Sequence, residues 1–257
     1  MSLPRLPEGY VAVEPKGVEA FAAAAAADWL GGLLAKGVTL DGWAQRIAVE
    51  RIAGRGPLHV TPAQVPGPEG RALWAVRHYR RGGAAAGLLV DRYLALGSSR
   101  PSRELTASTV ARARGVRTPA VVAGAAYAST PLGAFYRADL VTELIPDARS
   151  LARSLLEAET DEDTLPPLAS AGRLVRSLER AGIFHRDLNA GNVLLDADGL
   201  GWVVDLDRCV VLGEGPLRGS AMLARLERSL RKVCATHRHA LPRDAWDALR
   251  AGFADGA

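Results

Sequence analysis

The sequence predicts an α+β protein, with an antiparallel sheet and one inserted helix over residues 1–145 and a mainly helical part over residues 146–257. Three observations carry this. Short β-like pieces, Pro57 to Val60 and Leu73 to Tyr79, flank the Pro/Gly-rich stretch TPAQVPGPEG and read as an antiparallel hairpin. Two extended segments, VRTPAVVAGAAYA and AFYRADLVTELIP, follow a single helical stretch. From Ala148 onward the apolar residues fall at helical spacing.

Taken in order, FAAAAAADWLGGLLAKG is an alanine run of strong helix propensity that should end near Gly31 and Gly32, giving the first part a helical N-terminal extension. SRELTASTVARAR reads as a helix over residues 102–114, with Ser102 as N-cap and Gly115 as its stop. In the second part, LASAGRLVRSLERAG spaces Leu168, Ala171, Leu174, Val175 and Leu178 along one buried face and closes at Gly182. Two short strands, VLLD and GWVVD, then flank Ala197-Asp198-Gly199, whose Asp-Gly pair signals a tight hairpin. The last predicted helix runs from Met222 to Val233.

Composition narrows the function classes. Apolar residues make up 48% of 257, charged residues 23% and aromatics 5%, which excludes a disordered or collagen-like chain. The apolar stretches near Ala22–Ala27 and Ala84–Val90 fall well short of the ~18 residues of a membrane span. The first residues carry Glu8, Glu14 and three prolines where a secretory leader needs a basic start and an apolar run, so the expected location is the cytoplasm. Cys209 and Cys234 lack CxxC spacing and suggest neither a disulfide framework nor a zinc site. Basic residues number 32 against 28 acidic. Residues 1–145 hold 17 basic and 11 acidic (net +6) and the remainder 15 and 17 (net −2), so the first part suits an anionic ligand. No nucleic-acid-binding signature accompanies the charge, and nucleic acid is not an expected partner.

The chemistry-bearing text begins at His185-Arg186-Asp187-Leu188-Asn189-Ala190-Gly191-Asn192, which matches the protein-kinase catalytic-loop pattern HRDLxxxN. In that pattern the Asp takes the proton of the attacking hydroxyl and the Asn holds a metal ion. The alternative is a polar turn capped by Asp187 and Asn192. Eighteen residues beyond Asp187, Asp205 ends the strand GWVVD, where a kinase carries the metal-binding Asp of DFG. Phosphoryl transfer needs such hard oxygen donors, because Mg²⁺ must neutralise charge on the phosphoryl oxygens.

Upstream, Leu73-Trp74-Ala75-Val76-Arg77 resembles the VAIK strand, with Arg77 in place of the phosphate-gripping Lys; no Lys lies between Lys36 and Lys232. The competing reading is an exposed strand arginine. Glu104 stands where kinases place the carboxylate that pairs with this cation, although a surface Glu on any helix would look the same. Gly54-Arg55-Gly56 stands where a glycine-rich loop would cover the phosphates, or is a plain turn, since the third glycine is missing. LVTELIP fits a strand entering a hinge where the backbone of Glu143 and Ile145 meets adenine, or an ordinary buried strand.

Together, YRRGG, YRADLVTELIP, HRDLNAGNVLLD, VVDLDR and RLERSLRK resemble the bacterial 3-deoxy-D-manno-octulosonic acid (Kdo) kinase family of the lipopolysaccharide kinase group, over residues 50–234. Asn189 in place of the catalytic-loop Lys, and DLD in place of DFG, depart from protein kinases and agree with this family. The resemblance implies a protein-kinase-like bilobal fold, MgATP as donor, and phosphorylation of the 4-hydroxyl of Kdo on a lipid A precursor. It also implies a peripheral position on the cytoplasmic face of the bacterial inner membrane. Two alternatives stand beside it: a heptose or other small-molecule phosphotransferase of the same fold, and a non-catalytic binding module, which the missing strand Lys would suit.

Overall fold

The computed structural model describes residues 4–52, 56–80, 91–130, 134–212 and 218–255. The chain forms two compact units: Met1–Thr106 with Ala120–Leu144, and Ala107–Pro119 with Ile145–Ala257.

The first unit is built on one sheet. Its strands are β1 (Tyr10–Val13), β2 (Val18–Ala23), β3 (Glu50–Ile52), β4 (Leu58–Pro62), β5 (Leu73–His78), β6 (Tyr93–Leu94), β7 (Val121–Ala128) and β8 (Phe135–Glu143). They lie in the order β1-β2-β7-β8-β5-β4-β3, with β6 also on β8, and every pairing is antiparallel. The helices are α1 (Ala27–Ala35), α2 (Leu40–Ile47) and α3 (Arg100–Ala113), whose second half belongs to the other unit. The expected hairpin is present, with Leu58 opposite Arg77 and Pro62 opposite Leu73.

Side-chain alternation gives the sheet two distinct faces. Trp74, Val76 and Val141 point one way and are buried with Leu30, Leu40 and Trp43 of α1 and α2. Trp29 packs edge-on against both Trp43 and Trp74, with ring centroids 5.0 Å apart in each case. Phe21, Tyr79 and Leu140 point the other way and are buried with Leu105 of α3.

Two expectations are corrected here. Phe21–Ala23 are not helical but belong to β2; after a 3₁₀ turn at Ala24–Ala26 the α-helix begins at Ala27 and continues through Gly31 and Gly32. Alanine's helix propensity is worth only tenths of a kcal/mol per residue (about 0.5) over most alternatives. Pairing on both edges, with β1 and with the equally small residues of β7, overrides it, so the N-terminal extension adds strands as well as helices. Nor is Ser102 the N-cap of α3: the Ser102 N–H donates to Ser99 Oγ at 3.4 Å. Ser102 lies within the helix and sends its hydroxyl to Glu19 at 2.9 Å.

The second unit contains β9 (Arg149–Ser150), α4 (Leu151–Leu156), α5 (Leu165–Arg180), β10 (Ile183–Phe184), β11 (Val193–Leu195), β12 (Gly201–Val203), β13 (Val210–Val211), α6 (Gly219–His237) and α7 (Ala245–Asp255). The predicted face of α5 (Leu168, Ala171, Leu174, Val175, Leu178) is buried as expected. β11 and β12 form the anticipated hairpin, and Gly199 takes the positive φ of 72° that its turn requires. α7 was not anticipated; Gly172 and Gly252 let it cross α5 at backbone contact, where a Cβ on either residue would collide with the facing main chain. The apolar side of α6 (Met222, Leu226, Leu230) is core, whereas Arg225, Arg228, Arg231 and Lys232 are exposed. Among the described residues, no helix is long and apolar enough to cross a membrane.

Candidate active site

In the first unit β5 carries Arg77 on the face that α3 covers, and α3 carries Glu104 to meet it. Arg77 Nη2 lies 2.6 Å from Glu104 Oε2, with the Glu104 side chain 6% exposed. Arg77 is thus not a solvated strand arginine. Tyr79, two residues along and on the same face, donates its hydroxyl to the same carboxylate oxygen. The Arg77 guanidinium sits 4.7 Å from the centre of the Tyr79 ring, and that of Arg100 lies 5.0 Å from Tyr79 and 4.8 Å from Tyr93. A planar guanidinium can stack on an aromatic face while using its edge on a carboxylate, which a lysine ammonium cannot do. The sequence reading missed Tyr79, although strand alternation from Arg77 would have found it.

The remaining first-unit candidates are placed as follows. Gly54 lies outside the described residues, and Gly56 sits in the bend before β4 against the Arg80 side chain. The Glu143 carboxylate is 1% exposed and accepts the N–H groups of Glu69 (3.0 Å) and Arg71 (3.2 Å), which ties down the loop between β4 and β5. Its backbone N–H donates to the Ala120 carbonyl at 2.9 Å.

In the second unit the segment from His185 to Asn192 connects β10 to β11. His185 is fully buried and braces it: its Nδ1 accepts the Asp187 N–H at 3.2 Å, which leaves Nε2 to donate to the Val204 carbonyl at 3.3 Å. Burial holds the imidazole pKa below its ordinary 6.5, against the opposing pull of the Val204 carbonyl and the charges of Asp205, Asp187 and Asp207. Asn189 and Asn192 both donate their side-chain N–H to the Asp187 carbonyl, at 2.8 and 3.3 Å. From below, the Ser229 hydroxyl of α6 receives the Ala190 N–H at 3.1 Å.

The Asp187 carboxylate is 44% exposed, and its Oδ2 is paired with Arg208 at 2.5 Å. Across the hairpin, the Val204 N–H donates to the Asn192 carbonyl at 3.0 Å, which places Asp205, two residues past the end of β12, just beyond Asn192. Asp205 has a left-handed backbone (φ 67°, ψ 55°), a conformation that costs a non-glycine residue about 1–2 kcal/mol. That turn sends the chain into a short helix, Leu206–Arg208, in which Leu206 and Asp207 are buried and Arg208 is exposed. Asp205 and Asp207 each offer a carboxylate oxygen within 4.8 Å of the other's.

These donors fit a hard divalent cation. Asn192 spends its Nδ2 on the Asp187 carbonyl, which leaves its amide oxygen as the atom that could meet a cation, and Asp205 offers a carboxylate oxygen. All-oxygen donors suit a metal that keeps part of its water shell.

An arginine paired with a buried carboxylate in an antiparallel sheet unit, with an HRD loop and an Asp-bearing turn in a largely helical unit, marks a phosphotransferase of protein-kinase-like fold that carries phosphate from ATP to a hydroxyl acceptor. The chain belongs to the lipopolysaccharide kinase (Kdo/WaaP) family, whose model matches residues 45–253.

Relatives named 3-deoxy-D-manno-octulosonic acid kinase include one from Photobacterium profundum, 34% identical over 181 residues, covering 70% of this chain and 74% of the relative. One from Xanthomonas campestris is 36% identical over 193 residues, covering 74% and 72%. One from Stenotrophomonas maltophilia is 40% identical over 159 residues, covering 62% of this chain and 61% of the relative. A solved structure described as WaaP in complex with acyl carrier protein is alike in fold, with a TM-score of 0.51, 20% identity, and coverage of 86% of this chain and 85% of that one.

Proposed function

We propose that the chain transfers the γ-phosphoryl group of ATP, with Mg²⁺, to the 4-hydroxyl of Kdo on a lipid A precursor during lipopolysaccharide core assembly. The observation that carries this reading is the tie between the catalytic loop and the Asp205 turn. The Asn192–Val204 hydrogen bond of 3.0 Å and the His185 bridge hold a candidate base and two candidate metal ligands on one scaffold. The names of the relatives supply the acceptor.

In this reading Asp187 orients the acceptor hydroxyl and accepts its proton through Oδ1, since Oδ2 is held by Arg208. The acceptor oxygen forms a bond to the γ-phosphorus as the bond to the bridging β,γ-oxygen breaks, and ADP departs with the electron pair. Asn192 and Asp205 would hold Mg²⁺, which would supply the charge that neutralises the phosphate oxygens. Arg77, fixed by Glu104, aligns the phosphates, Gly56 lies beside them, and the hinge backbone at Glu143 and Ile145 meets adenine. Peripheral attachment to the cytoplasmic face of the inner membrane follows from a lipid-borne acceptor. The exposed cations of α6 (Arg225, Arg228, Arg231, Lys232) would face its anionic headgroups.

The test is mass spectrometry of Kdo-lipid IVA after incubation with the protein and MgATP. A gain of one phosphate on Kdo is expected; phosphate gained only by a heptose acceptor, or by none, would overturn the reading.

A further inference from the structure

We infer that Arg208 binds the carboxylate of the acceptor sugar acid and thereby sets which hydroxyl reaches Asp187; this deepens the function proposed above and rests on it. Arg208 Nη1 is committed to Asp187 Oδ2 at 2.5 Å, while the arginine side chain remains 57% exposed. Its Nε–Nη2 edge, the edge that can meet a carboxylate with two parallel N–H···O bonds, has no partner among the described residues. An ion pair this exposed contributes little stability, so the contact with Asp187 gives a weak structural reason for an arginine at this position.

The surrounding loop shows why the cation comes from this position. Position 189, where the protein-kinase pattern has a Lys, is an Asn here. Its amide is spent within the loop, with Nδ2 on the Asp187 carbonyl at 2.8 Å and Oδ1 on the Gly191 N–H at 2.9 Å. The left-handed turn at Asp205 and the short helix after it instead bury Asp207 and present Arg208.

An acceptor hydroxyl must come within hydrogen-bond reach of Asp187, about 2.6–3.2 Å, so the rest of the sugar necessarily lies beside this guanidinium. In a 2-ulosonic acid the carboxylate is attached to C2, two carbons from the hydroxyl-bearing C4, close enough for one residue to read both groups through Asp187 and Arg208. A neutral sugar offers the Nε–Nη2 edge no anion.

The experiment compares steady-state kinetics of the wild type, Arg208→Gln and Arg208→Lys on Kdo-lipid IVA and on its Kdo methyl ester, with circular dichroism melting as the folding check. For Arg208→Gln the acceptor KM should rise about 10- to 100-fold, with the KM for ATP unchanged, as expected for loss of a charge-assisted pair. Arg208→Lys should recover part of the loss. The wild type should lose a similar factor on the ester, and Arg208→Gln should lose nothing further there. Equal losses by Arg208→Gln on acid and ester, or an effect on the KM for ATP instead, would overturn the assignment. If the wild type transfers phosphate to neither acceptor, the function reading itself falls, and the assignment with it.

Discussion

His185 Nε2 lies 3.3 Å from the carbonyl of Val204, the residue immediately before Asp205, while the same ring receives the Asp187 N–H. One buried imidazole therefore sets the relative position of the candidate base and a candidate metal ligand. His185→Leu keeps the bulk but leaves a donor and an acceptor unpartnered. Stability should fall by about 1–3 kcal/mol, and kcat by at least about tenfold, because small misplacements of reacting groups cost that much. Because burial depresses the pKa of His185, the stabilisation from its neutral form is fully present above pH 6.5 and is lost as pH falls through the lower folded value. Urea denaturation of wild type and variant between pH 5 and 8 would show this acid-side loss in the wild type alone.

Tyr79 holds Glu104 by its hydroxyl and Arg77 by its ring. Tyr79→Phe keeps the stacking and removes one hydrogen bond to a buried carboxylate, so the KM for ATP should rise severalfold with little change in kcat. Arg77→Ala strands Glu104 with its charge buried and should cost much more, about 3–5 kcal/mol of stability or the equivalent in nucleotide affinity. Nucleotide titration followed by calorimetry separates the two; an Arg77→Ala protein that binds ATP normally would remove Arg77 from the site.

Asp187→Ala should abolish phosphate transfer while MgATP binding persists, because the carboxylate is turned to the acceptor and contributes no metal ligand in the proposed mechanism. Asp205→Asn should do the reverse in binding, weakening the metal-dependent part of nucleotide affinity. Radiolabel transfer and calorimetry with and without Mg²⁺ distinguish them, and transfer by Asp187→Ala at the wild-type rate would exclude it as the base.

The polar loop from His185 to Asn192 and the place of Asp205 after a short strand were legible because contiguous motifs specify them, but GWVVD reads as strand to its last residue, whereas β12 stops at Val203 and Asp205 turns left-handed. The hairpin of β4 and β5 was legible from its turn chemistry. What the sequence hid was set by pairing across distance. Phe21–Ala23 became part of a strand because β1 and β7 offered edges of small residues, and propensity holds no record of that. The cap of α3 fell to Ser99 because Ser102 is used by Glu19, 83 positions away. Tyr79, His185 and Arg208 act through contacts that no motif names, although alternation along β5 pointed to the first of them.

His78 gives a pH dependence of opposite sign to that of His185, within the sheet unit. Burial alone would lower its pKa, but the 2.6 Å contact with Asp139 and the charges of Asp139, Asp41 and Asp91 more than reverse this, and the net shift is upward from 6.5. Asp139 is 1% exposed, and its other carboxylate oxygen accepts the Asp41 N–H at the start of α2 at 2.9 Å, so the pair also fastens that helix to the sheet. A folded-state pKa above the unfolded one binds extra protons on folding, so this stabilisation is complete below pH 6.5 and is lost as pH rises through the folded value. The wild-type protein should therefore lose stability between neutral and moderately alkaline pH, with the fastest hydrogen exchange gained in α2. His78→Gln should be less stable at pH 6 and show a flatter profile above it. Denaturation midpoints from pH 6 to 9 with amide exchange on residues 40–47 test this; a wild-type profile that rises with pH over that range would overturn it.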